Sequence, residues 1–184
     1  MAEPKPFSPV KLIVGIISFE KHVSKRAEDC LVRLYGAMDA SSPFFSFNFT
    51  NYYEKQMGSN LRRKFLSFAK LLPPENLSEI KIRTNAMEKE ISNEFQVSRR
   101  IVNIDPGYLT ASALIMATTK DFAHRIPLQN GIYGHLEFTF GKKEIRNLDW
   151  TYPDYRTAGY QEFFLNVRNI YLAQVSKSSE EFKS

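Results

Sequence analysis

The run from Lys11 to Phe19, KLIVGIISF, constrains this chain more than any other stretch. It is nearly all apolar and rich in β-branched residues, the pattern of an interior strand buried on both faces. Such a strand needs a layer on each side, and the rest of the chain must supply both. Val23, Ala27, Leu31, Leu34 and Met38 recur at helical spacing, which predicts a first helix over 23–38 packed on one face. Phe45, Phe47 and Phe49 alternate with Ser46, Asn48 and Thr50, as in a half-buried strand. Tyr52-Tyr53-Glu54 reads as a helix start within a loop or short helix over 51–60, and Lys64 to Ala69 as a further strand.

From Leu77 to Phe95 two readings compete. One is a single helix with Leu77, Ile80, Thr84, Met87, Ile91 and Phe95 on one face. The other, which we prefer, is a short strand from Ile80 to Arg83 and then a helix capped at Asn85, with Glu88 completing a capping box. Val102 to Asp105 reads as a strand end, Pro106-Gly107 as a turn, and Ala111 to Ala117 as the next apolar element. Gly107 and Gly131 are both expected in turns, at least one of them at positive φ. A hairpin follows, 131–140 with 144–148 across Gly141-Lys142-Lys143, then an aromatic loop, WTYPDYR, from Trp150 to Arg156. A closing helix over 158–175 puts Tyr160, Phe163, Phe164, Val167, Ile170 and Tyr171 inward.

The expected fold class is α+β. Strand, helix, strand, strand, helix, strand over 11–105 matches a ferredoxin-like split βαβ core, extended by antiparallel strands and a C-terminal helix. The expected organisation is a flexible lead-in (1–8), one domain (9–175) and a polar tail (176–184).

Composition narrows the function classes. Twenty-five basic residues against 20 acidic ones leave a net charge of +5, which permits an anionic ligand without demanding nucleic acid. The single cysteine, Cys30, excludes an intrachain disulfide, and no Cys/His spacing suits zinc. MAEPKPFSPV lacks the apolar core of a signal peptide, and no stretch approaches the ~20 apolar residues of a membrane span. A soluble, cytoplasmic protein is expected. The phosphate-loop, dinucleotide-binding and G-x-S-x-G signatures are all missing.

Four clusters suit chemistry, and each also has a plain structural reading: a turn-opening Asp, a solvated loop with ordinary salt bridges, a simple N-cap beside surface cations, and a hydrophobic lid pinned by Pro153. Asp105, closing a strand, suits a general base or a metal ligand, with Tyr108 beside it. It equally suits an Asp that opens a turn. In TTKDFAHR, Lys120, His124 and Arg125 suit a phosphate or carboxylate, with Asp121 orienting the imidazole. Arg83, Thr84 and Asn85, beside Lys81, would place an anion at a helix N-terminus. Trp150, Tyr152 and Tyr155 could stack on a ring, with Asp154 and Arg156 as polar partners. Asp105, Asp121 and His124 are the catalytic candidates and the others are ligand-binding candidates; no metal or cofactor is assigned. Arg62-Arg63-Lys64 reads as a solvated basic patch.

PVKLIVG (9–15), FNFTNYYEKQMG (47–58), KIRTNAME (81–88), VNIDPGYLT (102–110), LIMATTKDFAHRI (114–126), GIY (131–133) and WTYPDYR (150–156) together resemble a prokaryotic family. It is the domain-of-unknown-function family numbered 4416, and the resemblance spans residues 9–175. It implies no established activity. Members sometimes carry a GTP-binding label, and no guanine-nucleotide motif stands in this sequence. The family pattern after GIY continues to an acidic residue; here Gly134-His135 precedes Glu137.

Three functions follow, in order of preference. The first is a protein that binds or acts on a small phosphorylated or nucleotide-like ligand, with Asp105, Lys120, His124, Arg125, Arg83 and the 150–156 loop around one cleft. The second is a non-catalytic structural or regulatory protein. The third, a nucleic-acid-binding module, draws on a sequence pI of about 9.2 and on exposed aromatics.

Overall fold

The computed structural model describes residues 3–50 and 52–181. The first two residues of the expected lead-in, Asn51 of the expected 51–60 loop and residues 182–184 of the expected tail lie outside them.

The KLIVGIISF run forms β1 (Val10–Ser18), buried along its whole length. It pairs antiparallel with β4 (Arg62–Leu72) on one side and β5 (Val102–Leu109) on the other. The interior strand is therefore as expected. Around it are β2 (Met38–Ser41), β3 (Phe45–Ser46), β6 (Ala113–Thr118), β7 (Arg125–Pro127), β8 (Tyr133–Phe140) and β9 (Ile145–Asn147). Among the described residues these make one nine-stranded antiparallel sheet in the order β2-β4-β1-β5-β6-β8-β7. β3 pairs with β4, and β9 with β8. The fold class is α+β.

Alternation along β1 decides which layer each side chain joins. Leu12, Val14 and Ile16 pack with Leu66, Phe68, Val102 and Ile104 under α1 (Lys21–Tyr35) and α3 (Leu77–Glu94). Ile13 belongs to the opposite layer, with Phe65, Leu114 and Phe138, under α4 (Ala158–Glu181). α4 covers that face with Tyr160, Phe163, Phe164, Val167 and Tyr171, five of the six residues its sequence predicts inward, while Ile170 is only half-buried. It runs on to Glu181, past the expected end at Val175. Lys11 is also on the α4 side, wholly buried, where it pairs with Asp39 and donates to Gln174 Oε1 at 2.6 Å. A short helix, α2 (Glu54–Met57), follows Tyr53 as the sequence suggests.

Four expectations need correction. Leu77–Glu94 is one helix, so Asn85 lies in its interior and caps nothing. The preferred strand-then-helix reading fails because Leu77, Ile80, Met87 and Ile91 bury a continuous 3.6-residue stripe, and one stripe needs one helix. The first helix ends at Tyr35, so Leu34 in its last turn is exposed rather than packed, and Met38 instead opens the edge strand β2. The Phe45–Thr50 strand shrinks to two residues. Phe47 donates its N–H to the Leu61 carbonyl at 2.8 Å and packs with Ile17, Met57 and Leu61.

The fourth correction concerns Pro106-Gly107, which is no turn. β5 continues through both residues to Leu109, and the hairpin bends at 110–112. Gly107 is required for a different reason. A Cβ there would strike Met116 Sδ and lie 2.5 Å from the Ile115 carbonyl oxygen, so only glycine lets β6 approach. Gly131, at φ 72°, holds the positive-φ position expected of at least one of the two.

Gly107→Ala should lower unfolding free energy by ~1–3 kcal/mol through overpacking. Gly134→Ala, where a Cβ would meet only ordinary contacts at 3.6 Å, is the control in the same sheet. Equal denaturant midpoints for the two variants would contradict the close-approach account.

Candidate functional site

β5 and β6 pair over three positions only, Gly107↔Met116, Tyr108↔Ile115 and Leu109↔Leu114. Beyond Gly107 the two strands part. β5 stays with β1 down to Val102, and β6 stays with β8 down to Thr118. Pro106 sits at the parting, where its missing N–H breaks no β5–β6 bond. Backbone groups that β6 no longer reaches need other partners. At Ile104 they come from α3. Lys81 Nζ donates to the Ile104 carbonyl at 3.0 Å, and Glu88 Oε1 accepts from the Ile104 N–H at 2.6 Å. The gap opens into a cleft of about 750 Å³.

Lys81, Asn85, Glu88 and Ser92 occupy one stripe of α3 and border this cleft. From β5 come Asn103 and Asp105, from β4 Arg63, and from the 150–156 loop Tyr152, Asp154 and Tyr155. The floor is a network of charges. Asp105 accepts from Lys81 at 3.2 Å and from Asn103 Nδ2 at 2.5 Å, and Arg63 lies 3.8 Å away. Arg63 is only 6% exposed, pairs with Asp154 and lies 4.4 Å over the Phe47 ring. Arg100 pairs with Glu88 at 2.6 Å and donates to Asn103.

Burial opposes the charge on Asp105, yet the Lys81 and Arg63 charges and the Asn103 hydrogen bond hold its carboxyl below the usual range. Burial pushes Asp154 up instead, with Arg63 opposing, and it also pushes Glu88 up against Arg100. An ionised Asp105 thus borders the cleft.

The mouth is built by two loops. Lys120 lies 3.6 Å above the Tyr52 ring, from the opposite bank. Arg125 donates to the Lys120 carbonyl and to the Tyr152 hydroxyl, each at 2.8 Å, and to His135 Nδ1 at 3.4 Å. Glu137, 1% exposed, accepts from the Tyr152 N–H at 2.8 Å, and its other oxygen lies 3.1 Å from His135 Nε2. Arg125 and Glu137 together therefore tie the 150–156 loop to β8.

Asp105, Asn85, Lys120, Arg125, Tyr152, Asp154 and Tyr155, all expected from sequence, line this cleft. The others do not. His124 stands behind His135, 3.2 Å from its Nδ1, and stacks on Trp150. Asp121 is exposed and is not the partner of His124. Arg83 faces solvent and pairs with Glu90 on its own helix. Thr84 is buried and bonds the Lys81 carbonyl, while Tyr108 packs near Leu77 and Ala117 on the far side. Trp150 donates to the Leu136 carbonyl, and Arg156 braces the loop from outside through the carbonyls of Leu148, Asp149 and Thr151. Among the described residues no group of three or more His, Cys, Asp or Glu side chains is arranged to hold a metal ion.

Arg63, Glu88, Arg100, Asn103, His135 and Glu137 were not expected at a site. For Arg63 the solvated-patch reading is wrong. It shares the inward phase of Phe65 on β4, and that phase is the signal that places it. Glu137 is likewise in phase with the buried His135 on β8.

A family model described as a domain of unknown function (DUF4416) matches residues 8–171, and the chain belongs to that family. No curated protein and no solved structure matches the chain.

Two measurements check this electrostatic description. Arg63→Leu strands the buried Asp154 and should cost ~3–5 kcal/mol, whereas Arg63→Leu with Asp154→Leu should recover most of it; additive losses in denaturant melts would contradict the pairing. His124 is held below the ordinary imidazole value of 6.5 by burial, then by His135 and Arg125. The unfolded chain therefore takes up this proton first. Stability owed to the neutral ring is complete above about pH 6.5 and lost as pH falls through the lower folded value. His124→Gln should flatten the pH–stability curve over that window, and an unchanged slope would count against the packing.

Proposed function

We propose that this DUF4416 protein binds a small phosphorylated or nucleotide-like anion in the cleft between β5 and β6. One observation carries the reading. Seven cations and four carboxylates line the cleft, an excess of three positive charges in a chain whose whole net charge is +5. Asp154, Asp105 and Glu88 pair with Arg63, Lys81 and Arg100, Glu137 beside His135 balances one further cation in the count, and Lys89, Arg99 and Lys120 are exposed at the mouth. A cleft focuses such a field on an incoming anion. Phe49, Tyr52 and Tyr53 give it an apolar wall, and about 750 Å³ suits an organic ligand. Asp105, ionised and bordering the cleft, is an acceptor for the ligand's N–H or O–H groups, its lowered pKa suiting it to hydrogen bonding better than to proton abstraction.

On the same reading, β2-β4-β1-β5 with α1 and α3 is a split βαβ core, and β6–β9 form the antiparallel extension that supplies the second bank. A non-catalytic interaction protein is the competing reading, favoured by the internal pairing of the floor charges.

A thermal-stability screen of inorganic phosphate, sugar phosphates and nucleotides decides between them. A bound member at 100 times its Kd should add ~2.7 kcal/mol of stability. Lys120→Ala should weaken that member about tenfold, the loss of one charge-assisted contact. Without ligand, this exposed substitution should change stability by less than ~1 kcal/mol. No shift from any phosphorylated compound would reject the anion site.

A further inference from the structure

An anion held by the mouth cations has no use for the carboxylate and amides beneath them. Asp105 keeps acceptor capacity, because a carboxylate offers about four lone-pair sites and Lys81 and Asn103 occupy one each. Its side chain is 24% exposed, toward the cleft it lines. Asn85 sits on the same stripe of α3 as Lys81 and Glu88, also lines the cleft, and makes no side-chain hydrogen bond among the described residues. A deeply buried side chain of the lining, Arg63, carries a nitrogen, Nε, with no hydrogen-bond partner. The floor therefore offers a charged acceptor and an uncommitted amide, while the mouth offers Lys89, Arg99 and Lys120.

We propose that the ligand is two-ended, a phosphate ester whose phosphate lies at the mouth by Lys120 and whose hydroxyl groups lie on the floor at Asp105 and Asn85. Phosphorylated sugars and polyols, including the sugar phosphate portion of a nucleotide, have this form. Inorganic phosphate and fatty acids do not. The inference rests on the anion reading above and names its ligand class. Asp105 contributes as an acceptor that rejects a second anionic end, so the orientation of the ester is fixed as well as its class. Asn85 can both donate to and accept from neighbouring hydroxyls, which Asp105 alone cannot.

Calorimetric titration of the whole chain with ribose 5-phosphate, inorganic phosphate and ribose separates the two ends. Ribose 5-phosphate should bind at least about tenfold more tightly than inorganic phosphate, and ribose alone should show no measurable binding, each end contributing on the order of one good hydrogen bond or more. Asn85→Leu breaks no hydrogen bond of the fold, and should weaken ribose 5-phosphate about five- to tenfold while leaving inorganic phosphate unchanged. Lys120→Ala should weaken both. Asp105→Asn, checked for folding by its unfolding midpoint because Lys81 and Arg63 lose their counter-charge, should act as Asn85→Leu does. Inorganic phosphate binding as tightly as ribose 5-phosphate, or Asn85→Leu weakening both alike, would overturn the two-ended ligand and leave the anion site standing. Binding by neither phosphate would overturn both.

Discussion

Beyond Gly107, β5 and β6 part, and the polar groups of the site arrange themselves around backbone that the parting leaves without a strand partner. An unsatisfied buried N–H or C=O costs on the order of 1–3 kcal/mol. The Ile104 pair is satisfied by Lys81 and Glu88, so two charges of α3 are drawn to the floor of the gap. Those charges need counter-ions in turn, which Asp105 and Arg100 provide. Close approach at Gly107, the missing donor at Pro106 and the charged floor form one chain of cause running from backbone sterics to electrostatics.

The position of the bend explains why the site converges. With a turn at Pro106-Gly107, an antiparallel return would carry Lys120 to the far end of the sheet from Asp105. With the bend at 110–112, the start of β5 and the end of β6 lie at the same end, and Asp105 and Lys120 border one opening. Pro-Gly is a strong turn signal, and it misleads here because both residues serve a strand: the proline ends a ladder and the glycine admits a neighbour. Nothing local in the sequence distinguishes those uses from a turn. The interior strand β1 and the α4 stripe were legible, since burial on both faces and 3.6-residue periodicity leave direct marks. Asn85 was placed at a site for the wrong reason. Its spacing to Glu88 resembles a capping box, whereas the spacing matters because both residues share the α3 stripe that borders the cleft.

Arg63 shows where reading charge by composition fails. Within RRK it looks like solvated surface, yet the β4 alternation sets it on the buried face between Asp154 and Asp105. Removing a charge from water costs several kcal/mol, and a paired buried ion recovers that only with well-placed partners. Arg63 has two carboxylates and the Phe47 ring, so the 150–156 loop is held by its Asp154 from below while Glu137 and Arg125 hold it at Tyr152. Loop, strand and helix are thereby tied together around the cleft, the preorganisation on which the proposed binding would draw.

Chemical-shift mapping of the isotopically labelled chain tests this account most directly. Titration with ribose 5-phosphate should move the amides of Asn85, Glu88, Asn103 and Asp105 on one bank together with those of 118–120 and Tyr152 on the other. Both banks should follow a single binding curve, and α1 and the outer face of α4 should stay still. Shifts confined to exposed lysines elsewhere, or to one bank alone, would contradict a cleft made by the parting of β5 and β6.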